Sequence, residues 1–244
     1  MSFTIVEPKL GGLINLIDEA SQDSRVPYVI VGGTASQLNI ANALYKDYGL
    51  TLEDLSKKVT PYFRPTDDID MASKILDGRE GIKDFRNTLI EISNRGYEVS
   101  FRAEKSDNCF SGKLRYAKGQ NGEARINFNI EKATGFSKDY YNQIVKRSHE
   151  IDIPYKGKQR VTANVIDIND LIVTKLDGLV AGRQKDAQDL IYNLVFNEPR
   201  INEGYVLNTI RTHFSSRQDV LLSKYNEMKI LAKDGKEAIL NLIK

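Results

Sequence analysis

Pro27-Tyr28-Val29-Ile30-Val31-Gly32-Gly33-Thr34 is the stretch on which the fold reading turns. The run before the glycines is short, apolar and β-branched, which predicts a buried strand over 27–31. Gly32-Gly33 then allows a tight change of direction. Thr34, a favoured N-cap type, predicts a helix from Thr34 to about Lys46. A strand, a glycine turn and a helix start together make a phosphate-cradling arrangement. Glycine lets backbone approach an anion closely, and free N–H groups at a helix start favour negative charge. The same pattern also serves as a plain strand-to-helix turn, so it gains weight only from what lies around it. It matches neither the longer P-loop pattern nor the dinucleotide glycine pattern.

Downstream, Arg64-Pro65-Thr66-Asp67-Asp68-Ile69-Asp70-Met71-Ala72 supplies the complement. Pro65 keeps Arg64 extended, and 68–72 reads as a second strand. Residues i and i+2 of a strand share a face, so Asp68 and Asp70 project side by side and can clamp a divalent cation. Asp67 points the other way. If the extended conformation reaches back far enough, Arg64 and Thr66 share the Asp68/Asp70 face, where Arg64 could contact a triphosphate or fix a carboxylate. A lone Asp-x-Asp recurs by chance on edges and turns, so the pair counts here only with its companions.

Around these two segments the periodicity places helices near 9–21, 52–58 and 80–95. Strands follow at 97–103, 110–116 and 124–130, separated by polar turns as in a β-meander. Residues 134–147 form a polar segment bearing Tyr140 and Tyr141, which read as core or rim aromatics rather than base-stacking groups. Short strands are expected at 149–153 and 159–163. From Asn169 the pattern is helical, near 169–181, 184–196, 203–213 and 217–243, with Gly235 as a candidate break. The expected class is α/β (α+β). A mixed sheet with flanking helices would occupy 1–165, and an α-helical part 166–244.

Composition narrows the chemistry. The chain has 244 residues, 41% hydrophobic and 28% charged, with no apolar run long enough to span a membrane. Met1-Ser2-Phe3-Thr4 lacks the basic-then-apolar pattern of a secretory signal. Cys109 is the sole cysteine, which fits a reducing cytoplasm and excludes a cysteine-rich metal site. Two histidines, His149 and His213, argue against histidine-based zinc catalysis, so a metal here would sit on carboxylates and be Mg²⁺ or Mn²⁺. A net charge of +2 is too small to argue for nucleic acid. Arg102, Lys105, Lys113, Arg115 and Lys118, with Phe110 and Tyr116 nearby, could line a path for RNA. A solvated sheet face is the favoured reading.

The order Gly-Gly-Thr-Ala, helix, Arg-x-Thr-x-Asp-x-Asp resembles the nucleotidyltransferase superfamily typified by DNA polymerase β, and within it the AbiEii/AbiGii toxin type and related families. A later helical signature is also matched. It runs through Asp170-Leu171-Ile172-Val173-Thr174-Lys175-Leu176 and then Arg183-Gln184-Lys185-Asp186-Ala187-Gln188-Asp189-Leu190. The resemblance covers roughly 27–196. It implies a Mg²⁺-dependent (or Mn²⁺-dependent) transferase that takes a nucleoside triphosphate as donor. The acceptor would be RNA, including tRNA, or a protein hydroxyl, and a protein antitoxin would oppose it. In the implied site Asp68 and Asp70 hold metal, Gly32, Gly33 and Thr34 cradle phosphates, and Lys175 with Arg64 neutralises charge. Thr66, Lys185, Asp186 and Asp189 line the nucleotide pocket. Spacing agrees, since Lys185 and Asp189 are four apart and Asp186 and Asp189 three apart on a helix. The superfamily usually adds a third carboxylate from a later strand, expected within Arg125–Glu131. Asn127 and Asn129 take the alternating polar positions there. Asn127 can offer a metal only its carbonyl oxygen, and Glu131 has the other parity. The third acid is therefore missing, shifted or supplied elsewhere. The alternative function is a decayed nucleotidyltransferase fold acting as a nucleotide- or RNA-binding or complex-forming module.

Overall fold

The computed structural model describes residues 4–57, 63–66, 68–72, 104–106, 109–115, 123–129, 137–155, 157–241 and 243, together with 84, 87, 88, 90 and 91. The elements begin with α1 (Pro8–Ser24), β1 (Val29–Val31), α2 (Gly32–Tyr48), α3 (Leu52–Lys57) and β2 (Asp68–Ala72). Three strands follow, β3 (Glu104–Ser106), β4 (Cys109–Arg115) and β5 (Glu123–Asn129). Next come α4 (Lys138–Arg147), β6 (His149–Pro154) and β7 (Arg160–Val165). The chain ends in α5 (Ile168–Val180), α6 (Lys185–Phe196), α7 (Glu203–His213) and α8 (Gln218–Asn241). No helix among the described residues is long and apolar enough to cross a membrane.

The described strands form one mixed sheet in the order β3-β4-β5-β2-β1-β7-β6. β1 runs antiparallel to β2 and parallel to β7, and β2 runs parallel to β5. β4 and β5 pair antiparallel close to two of the expected meander strands, and β3, at 104–106, pairs antiparallel with β4. The strand expected at 97–103 lies outside the described residues, as do Arg102, Tyr116, Lys118, Asp67 and Glu131. Of the helix expected over 80–95, Asp84, Asn87, Thr88, Ile90 and Glu91 are helical.

Three local expectations change. α2 starts at Gly32 rather than Thr34, because Gly32 at φ +70° turns the chain straight off the strand. Thr34 thus falls in the first turn and does not cap it. Residues 138–147 form a helix where the sequence suggested only a polar segment. Ser137 caps it by accepting from the Tyr140 N–H at 3.2 Å. α8 continues through Gly235 without a break.

One continuous core joins both halves, from Ile5 and Leu10 to Met228 and Ile239. Polar bonds reinforce the seam where α6 packs on α2: Asn193 donates to Ser36 Oγ at 2.6 Å, and Asn197 donates to Asn193 at 3.2 Å. α4 is fixed by another network. Arg147 donates to Asp167 at 2.9 Å and to Asp170 at 3.1 Å, its guanidinium lies 3.8 Å from the Tyr205 ring centroid, and Tyr205 donates to Asp170 at 2.7 Å. Burial raises the Asp170 carboxyl above its ordinary range despite these donors. Burial beside Asp170 pushes the Tyr205 hydroxyl up to about 12. Tyr140 stacks on His213 at 5.1 Å, which sets the rotation of α4 and leaves Tyr141 and Ile144 facing the site described next.

Candidate active site

The glycine turn and the Asp-x-Asp strand meet because β1 and β2 are adjacent. Antiparallel pairing sets Val31 opposite Asp70, so the chain turns at Gly32 directly beside the second aspartate. A Cβ on Gly32 would stand 2.6 Å from Asp70 Oδ2, closer than a Cβ approaches a non-bonded atom. Glycine is therefore required here twice, for its left-handed backbone and for the space the carboxylate takes.

Asp68 and Asp70 both line an open cavity of about 230 Å³. Gly32, Gly33, Arg64, Thr66, Lys175, Lys185 and Asp186 line it too. Its apolar wall is Val31, Ala72, Tyr141, Ile144 and Ile166. Two hydroxyls fix the first aspartate: Thr34 donates to the Asp68 carbonyl at 3.1 Å, and Thr66 lies 3.1 Å from both that carbonyl and Asp68 Oδ1. Thr34 is 1% exposed and does not line the cavity. It stands behind β2 and supports Asp68, whereas the sequence reading set it in a phosphate cradle.

The cationic side is more elaborate than the sequence suggested. Lys175 lines the cavity, yet it is only 4% exposed. Its ammonium donates to Asp186 Oδ1 at 2.8 Å and to Asp189 Oδ2 at 2.5 Å. Asp189 does not line the cavity but also accepts from Arg64, from Nε at 3.4 Å and from Nη2 at 3.2 Å. Arg183 Nε lies 3.0 Å from Asp186 Oδ2, without the alignment of a hydrogen bond. Lys185 stands exposed at the rim. Arg64, Lys175, Arg183 and Lys185 are thus set against Asp68, Asp70, Asp186 and Asp189. A divalent cation held by Asp68 and Asp70 would tip that balance positive, as a polyphosphate requires.

The donor set fits such a cation. Two carboxylates project from alternate strand positions, and the missing Gly32 side chain leaves room for one of them. Among the described residues, no cluster of three or more histidine, cysteine or acidic side chains stands ready for a metal. β2 and β5 pair in parallel with Asn127 in register with Asp70 and Arg125 with Asp68. Asparagine 127 therefore occupies the strand position beside the second aspartate.

Sequence reading passed over four contributors. Arg183 was visible only as part of a motif. Tyr141 read only as a core or rim aromatic, and Ile144 stood in a segment read as polar. Gly178, in the last turn of α5, gave no signal, although a Cβ there would overlap Arg183 and Asp186.

No family model matches the sequence, and no curated protein matches it. The fold does have solved counterparts. An antigenic nucleotidyltransferase-like protein from Paracoccidioides brasiliensis superposes with a TM-score of 0.61 at 13% identity, over 98% of this chain and 95% of that one. The fold is nucleotidyltransferase-like. The antibiotic-resistance factor ANT(2'')-Ia aligns over 90% of this chain and 98% of its own, with a TM-score of 0.45 and 14% identity, too low a score to carry an argument. At these identities the likeness concerns the nucleotidyltransferase-like architecture alone. The glycine turn and the Asp-x-Asp strand are features of this chain's own cavity.

Proposed function

We propose that the protein transfers a nucleoside monophosphate from a nucleoside triphosphate to a hydroxyl group. The observation that carries this reading is the single cavity in which Asp68 and Asp70 lie over the Gly32-Gly33 turn, facing Arg64, Arg183 and Lys185. In the reaction the acceptor oxygen forms a bond to the α-phosphorus. The α–β bridging P–O bond breaks, pyrophosphate leaves with that oxygen, and the acceptor proton passes to a base or to water. Asp68 and Asp70 would hold Mg²⁺ or Mn²⁺, which when bound supplies charge neutralisation at the phosphoryl oxygens. Arg64 and Lys185 would receive the leaving phosphates, with Lys175 behind them in contact with Asp186 and Asp189. The acceptor is RNA, with tRNA one form, or a protein side chain. The AbiEii-type resemblance further suggests a cytoplasmic toxin opposed by a protein antitoxin.

The experiment is label transfer. The protein is incubated with each α-labelled nucleoside triphosphate, Mg²⁺ and total RNA or protein, beside Asp68→Ala and Asp70→Ala. Labelled acceptor that both substitutions abolish supports transfer, and its absence under every condition rejects it. Asn127 at the register position beside Asp70 motivates one second reading, a nucleotide-binding module that has lost turnover. Calorimetric nucleotide binding indifferent to Mg²⁺, with no transfer, would select that reading.

A further inference from the structure

We infer that Asp189 is a positioning residue: it holds the Arg64 guanidinium over Gly33 so that a polyphosphate meets a cation already aimed, and Lys175 helps to fix it there. This rests on the cavity being a nucleoside triphosphate site.

Four observations carry the inference. Arg64 Nη2 lies 2.7 Å from where a Gly33 Cβ would stand, so the guanidinium fills the space above the first turn of α2. That end of a helix is the positive end of its dipole, and a cation left to itself is pushed away from it. Asp189 supplies the opposing pull through both carboxylate oxygens, and it is 3% exposed and absent from the cavity lining. The other end of Arg64 is held as well, since Gln37 donates to its backbone carbonyl at 2.7 Å.

Asp189 is itself fixed from two sides. Lys175 on α5 donates to Oδ2, and Asn193 donates to its backbone carbonyl at 2.8 Å while also reaching Ser36 on α2. The carboxylate is therefore shared between a buried ammonium and a cavity-facing guanidinium. Lys175 has both its nearest acceptors inside the protein. Its charge bears on a ligand by setting where Asp189, and so Arg64, comes to rest.

The test uses inorganic triphosphate with Mg²⁺, titrated calorimetrically into the full chain. Arg64→Ala and Asp189→Asn should each weaken binding about tenfold or more, the scale of one charge-assisted hydrogen bond. In the Arg64→Ala background, Asp189→Asn should cost no further affinity, within about twofold. A residue that merely supported the fold would weaken both backgrounds alike, and that result would overturn the inference. So would wild-type affinity in Asp189→Asn. Arg64→Lys guards against an unfolded aspartate variant. It keeps the charge at a partly exposed position but lacks the two-nitrogen fork, and it should lose as much affinity as Arg64→Ala. Retained affinity in Arg64→Lys counts against the clamp. A wild-type chain that does not bind triphosphate overturns the clamp. Triphosphate binding without label transfer defeats only the proposed transfer.

Discussion

Replacing Lys175 with Met gives the sharpest test of the ionic cluster behind the cavity. Methionine keeps the length of the side chain and removes the charge, so Asp186 and Asp189, 2% and 3% exposed, lose their shared ammonium. Removing one partner of a buried ion pair costs about 3–5 kcal/mol, because the remaining charge is left without compensation. Here each carboxylate keeps one arginine, Arg64 for Asp189 and Arg183 for Asp186. The loss should therefore fall at the low end, about 3 kcal/mol. In a chain of this size that lowers the melting temperature by about 6–12 °C. The assay is thermal unfolding followed by far-ultraviolet circular dichroism, at low and at high salt. Salt should change the difference little, since the pairs are buried and weakly screened. Adding Asp186→Asn and Asp189→Asn to Lys175→Met should recover at least half of the loss by discharging the stranded carboxylates. A Lys175→Met protein within about 1 kcal/mol of wild type would refute the reasoning, since two buried carboxylates stripped of their shared ammonium cannot cost so little.

Gly32→Ala should cost about 1–2 kcal/mol for the left-handed backbone alone. It should also abolish label transfer, because the new Cβ displaces the Asp70 carboxylate. Thr66→Val keeps the shape of the side chain but removes a donor to Asp68. A stability loss of about 1–2 kcal/mol in urea denaturation should accompany a larger fall in transfer rate than in nucleotide affinity. The Asp167 carboxyl is pushed up by burial, but hydrogen bonds from Asn169 and Arg147 outweigh this and hold it below its ordinary 3.8. A depressed carboxylate stabilises the fold fully above the unfolded value and loses that contribution as pH falls through the folded one. Asp167→Asn should therefore be less stable than wild type at pH 7, and the gap should close as the pH of the melting series is lowered below about 4. A gap that stays constant with pH would refute that assignment.

The parts of the fold legible in the sequence were those written in local pattern. A β-branched run before Gly32-Gly33, two aspartates two apart, and long 3.6-residue periodicity after Asn169 each specify an element from its own residues. α4 escaped because its buried face rests on Tyr140, Tyr141 and Ile144 amid strongly polar neighbours, and its start depends on the Ser137 cap. The site divides in the same way. The Asp68/Asp70 strand was readable from alternation, and its glycine turn from conformational need. The partners of Arg64 were not, because Asp189 lies 125 residues away. Thr34 is not the cap its residue type suggested, for a related reason: its hydroxyl goes to the Asp68 carbonyl on the interior strand β2, a partner 34 positions on that no cap pattern reveals.

Those long-range bonds also decide how the two halves of the chain relate to the chemistry. Asp68, Asp70, the glycine turn and Arg64 all precede residue 73, whereas Lys175, Arg183, Lys185 and the carboxylates that restrain the cations come from α5, α6 and the turn joining them. Gly178 is bare so that this turn can bring Arg183 and Asp186 against α5. Asn193 then bolts α6 to α2 one helical turn beyond Asp189. A cation sitting over a helix N-terminus is tolerable only while an acid holds it there, and the acid in this case belongs to the helical half. The α/β part thus carries the groups that would hold a metal, and the helical part sets the electrostatics that would let a polyphosphate approach it. Neither half contains the cavity by itself.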